Sequence, residues 1–362
     1  MNSKLFNESC KLELNKFIVK VMVSEIQLKE EHLRFVSDHN PGFSREKVGK
    51  EFKYYDLKGK TIKDPHILDR IKNLGIPPAW KDVWVCSLSN GHLQATGLDE
   101  KGRKQYIYHP DWIALSQENK FNKMIDFGFS LPKIRSRVSY DLGKKEIDKR
   151  KILATVVWLL EHTFIRIGNE EYYKDNNSIG LTTLRNKHVK IRGSSILFEF
   201  KGKSGVQSKI AVINSKIAKT IKACIELPGY KLFQFVDDRN QRHVVDSSDI
   251  NLFLKDVTKD DFSAKDFRTW GGTNISATSL FKIGPAENIK ALRQNIKETV
   301  KKVASHLNNT VSVCRNYYIH PKVIQSYQEN VLIPHYSRYS NSKPGVKGLS
   351  WTEYALIKLL QK

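Results

Sequence analysis

Four cysteines, Cys10, Cys86, Cys224 and Cys314, stand far apart and form no CxxC pair. That spacing argues against both a disulfide framework and a cysteine zinc site. No two of the 11 histidines lie three or four residues apart, so no helical His pair is available to a metal. No apolar run approaches the ~18 residues of a membrane-crossing helix, and the start MNSKLFNESCKLELNK has no signal-peptide stretch. With 20 Gly and 11 Pro in 362 residues the chain is not low-complexity, and HExxH and GxSxG do not occur. Acidic residues are in deficit: 38 Asp and Glu face 61 Lys and Arg, for a formal charge of +23. Such a surplus on a chain that is 40% hydrophobic implies a folded protein with a polyanionic partner. Nucleic acid comes first and an acidic membrane second. The expectation is an intracellular, soluble protein of about two domains, without metal or other cofactor.

Three stretches differ in texture. Residues 1–26 read as an N-terminal extension, with Phe17 to Val23 fitting either a strand or a short amphipathic helix, and Met22 an alternative start. Residues 27–111 read as a β-rich domain. Val83 to Leu88, His92 to Gly97 and Lys104 to Tyr108 alternate as strands, with turns at Ser89-Asn90-Gly91 and Asp99 to Gly102 and a loop at Pro77-Pro78. Residues 112–362 are dominated by helical periodicity. Ile152 to Ile165 repeats apolar residues at helical spacing, with Gly168 as its stop. Further helices are expected at Ile217 to Ile225, from Ala286 onward behind Pro285, and at Trp351 to Leu360. One β interruption stands among them: Ile196, Phe198 and Phe200 alternate, Gly202-Lys203-Ser204-Gly205 turns, and a second strand runs to Val212. The fold class is therefore α+β, a small β-rich domain followed by a larger, mainly helical one.

Gly202-Lys203-Ser204 is not a P-loop. The required earlier glycine is Leu197, and the turn joins two strands rather than a strand and a helix. Four side chains in distinctive frames remain: Arg166 at the end of the apolar helix, Lys203 at the hairpin tip, Arg268 in KDFRTWG, and Tyr318 in CRNYYIHP. Each alone has a plain structural reading. An Arg at a helix end ordinarily satisfies carbonyls, a hairpin-tip Lys is ordinarily solvated, and a Tyr before a Pro turn ordinarily packs. Together they match phosphoryl transfer from DNA. Two guanidinium forks suit the non-bridging phosphate oxygens, and an ammonium among other cations suits the proton donor for a leaving 5′ oxygen. A tyrosine can store the phosphodiester as a phosphotyrosine.

The stretch RIGNEEY from Arg166 to Tyr172, continued by SIGLTTLRNKHV from Ser178 to Val189, resembles the signature of type IB DNA topoisomerases, in their small bacterial branch related to the poxvirus enzymes. IPPAW from Ile76, NGHLQATG from Asn90 and GRKQY from Gly102 extend the likeness, which runs from about Leu33 to Tyr327. It implies that Tyr318 is the nucleophile that joins the 3′ phosphate, that Arg166 and Arg268 clamp that phosphate, and that Lys203 is the general acid. Where many members carry a His nine residues before the nucleophile, this chain has Asn309, able to donate an uncharged hydrogen bond; His306 is out of frame. Tyr317 is a rival by chemistry alone, but adjacent helical residues point ~100° apart and the frame favours Tyr318. Arg103, Lys104, Gln105, Tyr106 and Tyr108 resemble the segment that enters the DNA major groove. The alternative is an amphipathic strand with both tyrosines turned to the core. The resemblance also implies a monomer that clamps around duplex DNA in the bacterial cytoplasm, on the nucleoid, using neither ATP nor metal. Against a tyrosine recombinase stand Lys265 in place of a His three residues before Arg268 and a β-rich rather than helical N-terminal domain. Against a non-catalytic architectural protein stands the intact set of four.

Overall fold

The computed structural model describes residues 32–170, 173 and 177–362. The extension at 1–26, with its Phe17 to Val23 stretch, and Tyr172 lie outside the described residues. The chain divides into two compact units, Met1–Asn119 and Lys120–Lys362.

In the first unit, strands β1 (Gly42–Val48), β2 (Glu51–Tyr55), β3 (Lys81–Cys86), β4 (Leu93–Leu98) and β5 (Lys104–Tyr108) form one antiparallel sheet in the order β2-β1-β3-β4-β5. The β4–β5 turn is closed by Asp99, which accepts from the N–H groups of Lys101 and Arg103, and Gly102 takes φ +71°. Helix α1 (Pro65–Asn73), which the β-rich reading omits, is capped by Asp64 with Pro65 as its first residue. Ile67, Leu68 and Ile71 of α1 and Leu74 beyond it pack on Phe43, Ile62, Val83, Val85 and Ala95. Burying a side chain as fully as Ile71 contributes about 1.5–3 kcal/mol.

The second unit is mainly helical. Helix α2 (Pro110–Gly143) leads into it, followed by α3 (Lys149–Thr163), capped by Asp148. The expected continuation of α3 to Ile165, with Gly168 as its stop, does not occur. Phe164 adopts the left-handed conformation (φ +53°) and ends the helix. Its ring lies against Gly271, where a Cβ would stand 2.1 Å from Phe164 Cε1, so tertiary contact stops the helix. Gly168 (φ +91°) serves a different purpose, a close approach to Gly180. Strands β6 (Val189–Arg192), β7 (Ser195–Lys201) and β8 (Gln207–Ile213) form an antiparallel sheet whose Ile196, Phe198 and Phe200 enter the core.

Helix α4 (Ser215–Glu226) follows, then a two-stranded ribbon of β9 (Gln234–Val236) and β10 (Arg242–Val244), too short to show in the alternation, and α5 (Ser247–Thr258). Helix α6 (Ala264–Ile283) is buried along most of its length and packs against α3, α7 (Ile289–Leu307), α9 (Pro321–Gln328), α10 (Leu332–Ser340) and α11 (Trp351–Leu360). Helix α7 starts at Ile289 rather than Ala286 because Asn288 caps it, accepting from Ala291 N. Short α8 (Val311–Tyr317) precedes the Tyr318 turn. Among the described residues no helix is long and apolar enough to cross a membrane, and Cys86, Cys224 and Cys314 are buried and free. No group of three or more potential metal ligands occurs among them.

Candidate active site

Arg166 does not sit on α3 itself, as its frame suggested, but in the extended segment after Phe164. That segment is fixed by its own backbone: Leu181 N–H donates to Arg166 O at 2.8 Å and Thr182 N–H to Ile167 O at 2.7 Å. The Gly168–Gly180 approach allows these bonds, since a Cβ on Gly180 would lie 2.4 Å from Gly168 N. The Arg166 guanidinium, lowered in pKa by burial and by neighbouring Arg268, donates to Asn309 Oδ1.

Arg268 projects from the second turn of α6 and is 4% exposed. Its two terminal nitrogens donate to the carbonyls of Phe164 and of Leu307, the latter at 2.7 Å. One side chain therefore ties the start of the Arg166 segment to the end of α7. Its guanidinium carbon lies 5.1 Å from the centre of the Tyr318 ring.

Tyr318 caps the C-terminus of α8 rather than lying within the helix. Tyr317 points to solvent, 42% exposed, while Tyr318 is half-buried. Burial alone would raise the Tyr318 phenol, but the adjacent guanidiniums of Arg268 and Arg166 outweigh it and hold the phenol below its usual value. Its backbone is held from beneath: Thr273 Oγ1 of α6 donates to Tyr318 O at 3.2 Å and accepts from His320 N at 3.0 Å. His320, whose imidazole is brought down to about 4 chiefly by burial, caps α9 by accepting from Lys322 N. Lys120 of α2 donates to Tyr317 O, and burial lowers its ammonium to about 8.

Lys203 stands exposed on the β7–β8 tip, where Ser204 (φ +61°) and Gly205 (φ +78°) turn the chain. The hairpin is joined to the α7–α8 loop by Asn308 Nδ2, which donates to Ser208 Oγ at 2.7 Å. Arg166, Lys203, Asn309 and Tyr318 line one cavity of about 310 Å³, walled on its apolar side by Val206 and Val313. Asn309 gives its carbonyl to Arg166, and its buried Nδ2 makes no close hydrogen bond but faces the Tyr318 phenol and helps hold it below its usual value. An oriented donor is thus left beside the phenol. His306 is exposed, bonded to Lys302 O.

In the first unit, Tyr106 and Tyr108 are 46% and 37% exposed, with ring centres 6.1 Å apart and planes 11° from parallel. The core-facing alternative for them is overturned. Lys104, on the same face, pairs with Asp38 at 2.5 Å. Gln105 lies on the opposite face and donates to Asp99 Oδ2, which also pairs with Arg103 at 2.6 Å.

Sequence reading missed Thr273, Lys120 and the Gly271-Gly272 pair. For Thr273 and Lys120 the sequence carries no signal. The glycines stand three and four residues after Arg268, on its face of α6, and two glycines inside a helix mark a close approach. A Cβ on Gly272 would lie 2.7 Å from Tyr318 O and 3.2 Å from Tyr318 Cβ. Gly272→Ala is therefore expected to displace the Tyr318 turn and slow single-turnover phosphotyrosine formation by about 100-fold, with duplex affinity kept. Unaltered cleavage would show that the turn yields freely.

Residues 109–341 match the family described as eukaryotic DNA topoisomerase I, catalytic core, and residues 51–99 the bacterial DNA topoisomerase IB N-terminal domain. Helix α11 lies beyond the matched residues. A DNA topoisomerase 1B of Acanthamoeba polyphaga mimivirus is 32% identical over 296 residues, 80% of this chain and 88% of its own length. The DNA topoisomerase 1B of vaccinia virus (strain Copenhagen) is 23% identical over 300 residues, 78% of this chain and 89% of its own. DNA topoisomerase 1 of Schizosaccharomyces pombe is 24% identical over 264 residues, 72% of this chain but 30% of its own.

Proposed function

The chain belongs to the type IB DNA topoisomerases, ATP-independent isomerases that relax supercoiled DNA through a transient break in one strand, and from this premise we propose which of its side chains perform each step. The observation that carries the assignment is the single cavity lined by Arg166, Lys203, Asn309 and Tyr318, with Arg268 against the Tyr318 ring.

Tyr318 Oη attacks the scissile phosphorus as its proton passes to solvent water in the cavity, and a 3′-phosphotyrosine forms as the bond to the 5′ oxygen breaks. Arg268 and Arg166 favour the phenolate and then neutralise the charge that builds on the non-bridging oxygens. Asn309 Nδ2 donates to one of those oxygens. Lys203 Nζ protonates the departing 5′ oxygen, so the leaving group is a neutral hydroxyl. The free end rotates about the intact strand, driven by torsion. Religation runs the same steps backward, the 5′ hydroxyl displacing the tyrosine. Phosphodiester energy is conserved in the phosphotyrosine, so no ATP is spent.

Tyr106, Tyr108, Lys104, Arg103 and Gln105 make the N-terminal DNA contacts, the two tyrosines from one face of β5. The remaining lysine surplus binds phosphates without reading sequence, which makes affinity fall with salt. The enzyme acts as a monomer on duplex DNA in the bacterial nucleoid.

The direct test is relaxation of positively and negatively supercoiled plasmid in excess EDTA without ATP. Relaxation of both signs is expected, and binding without relaxation would overturn the assignment. For Lys203→Ala, cleavage of an ordinary phosphodiester should slow by about 10²–10⁴-fold. A bridging 5′ sulfur, which leaves without protonation, should restore most of that rate. An equal deficit on both substrates would remove Lys203 from the role of acid.

A further inference from the structure

Helix α11 lies outside the span shared with the catalytic-core family, yet Ala355, Leu356, Ile357, Leu359 and Leu360 are buried in the same core as α6. At its start is a charged side chain that the reaction does not use. Glu353 is 6% exposed. Its carboxylate accepts from Arg135 Nη2 at 2.6 Å and Nη1 at 3.0 Å, from Ser350 N at 2.8 Å and from Ser350 Oγ at 3.0 Å. Arg135, on α2, also donates to Gly348 O at 2.7 Å and to Glu161 Oε1 in the last turn of α3 at 2.7 Å. Burial would raise the Glu353 carboxyl, but the Arg135 and Ser350 hydrogen bonds hold it below the usual range. A carboxylate so placed costs desolvation that a leucine would not; Arg135 and the Ser350–Glu353 capping box that starts α11 offset part of that cost, and one further directional contact reaches α6.

That contact is to Trp270. The indole Nε1–H donates to Glu353 Oε1 at 3.4 Å. Trp270 lies two residues past Arg268, about 200° round α6, so the two side chains leave the helix on opposite faces. The indole is seated over Gly128, where a Cβ would meet Trp270 Cη2 at 2.5 Å and Ile357 Cδ1 of α11 at 3.0 Å. On the other face Arg268 holds the carbonyls of Phe164 and Leu307, and Gly271 and Gly272 contact Phe164 and Tyr318. Any rotation of α6 about its axis would move Arg268 and Trp270 together.

We propose that Glu353, held by Arg135 and bonded to Trp270, is a positioning residue that fixes the rotation of α6 and so sets Arg268 against the scissile phosphate. The C-terminal helix thereby becomes part of the catalytic apparatus. This inference rests on the assignment of Arg268 to the phosphate clamp, and its test separates the two.

Glu353→Gln keeps the shape and the acceptor oxygen but loses the charge that orders Arg135. Trp270→Phe keeps an aromatic ring over Gly128 and loses the N–H. Both are measured in the full-length protein by single-turnover cleavage of duplexes with either a phosphodiester or a methylphosphonate at the scissile position, beside Arg268→Ala. The methylphosphonate carries no charge, so a misplaced or missing guanidinium matters less on it. Each positioning variant should cleave the phosphodiester about tenfold more slowly, bind duplex normally, and come within about twofold of wild type on the methylphosphonate. A deficit equal on both substrates, with Arg268→Ala rescued, would overturn the positioning role alone and leave a general loss of structure. Cleavage at the wild-type rate would overturn it too. If Arg268→Ala itself gains nothing from the methylphosphonate, Arg268 is not the clamp, and the inference falls with that assignment.

Discussion

Tyr318→Phe is expected to abolish plasmid relaxation and the covalent protein–DNA adduct, a loss on the order of 10⁶-fold, as when other covalent catalysts lose their nucleophile. Among the described residues, no other tyrosine lines the cavity. Tyr317 points to solvent on the far side of the turn, 42% exposed, and the Tyr318 carbonyl is tied to Thr273 at 3.2 Å, which prevents a swap of the two. Duplex affinity should hardly change, because one hydroxyl is lost while the lysine and arginine contacts that dominate nucleic-acid binding remain. Supercoiled-plasmid relaxation, adduct formation on a nicked duplex and a binding isotherm at fixed salt check the three parts. An adduct in the variant, mapped by peptide sequencing to Tyr317, would sink the assignment.

Arg268→Ala is expected to lower the cleavage rate by about 10³-fold, the scale for loss of a preorganised charge at a transition state. Two further effects follow from its place in the fold. Phe164 O and Leu307 O lose their shared donor, so the melting temperature should fall, consistent with about 1–3 kcal/mol for buried acceptors left unpaired. The Tyr318 phenol, held below its usual value chiefly by Arg268 against the opposing effect of burial, should move upward. The rising limb of the cleavage rate with pH then shifts to higher pH, and the deficit is largest at low pH and narrows as pH rises. Arg268→Lys should not restore the rate, since one ammonium cannot span both carbonyls and a phosphate. An unmoved pH limb with a large rate loss would show that Arg268 acts on the phosphate alone.

Much of the fold was legible from the chain. The alternation of Val83 and Val85, and of Ile196, Phe198 and Phe200, marks strands because a sheet face repeats every second residue. Trp351 to Leu360 is readable as a helix from its amphipathic, helical spacing. Helix ends were less legible. The start of α7 follows a local rule, the Asn288 cap, but the end of α3 is set by the Phe164 ring against Gly271, more than a hundred residues further on. No window of neighbouring residues contains that contact. Helix α1 escaped notice because its nine residues are short for a periodic signal, although Asp64-Pro65 announces its cap.

The sequence by itself determined the chemistry of this protein: a basic surface for a polyanion, and two arginines, a lysine and a tyrosine in frames that occur together in one enzyme family. Residue identity is enough there, because each functional group carries its chemistry wherever it is placed. Only the tertiary structure decided the relations among those groups. It put Tyr318 rather than Tyr317 in the cavity, and it turned Asn309 so that its carbonyl serves Arg166 and its amide faces the Tyr318 phenol. It also placed Thr273 under the Tyr318 backbone and joined Glu353 through Trp270 to the helix of Arg268. These contacts link residues distant in the chain, through buried hydrogen bonds and glycine-sized gaps that only close packing creates, and neither leaves a periodic trace in the sequence.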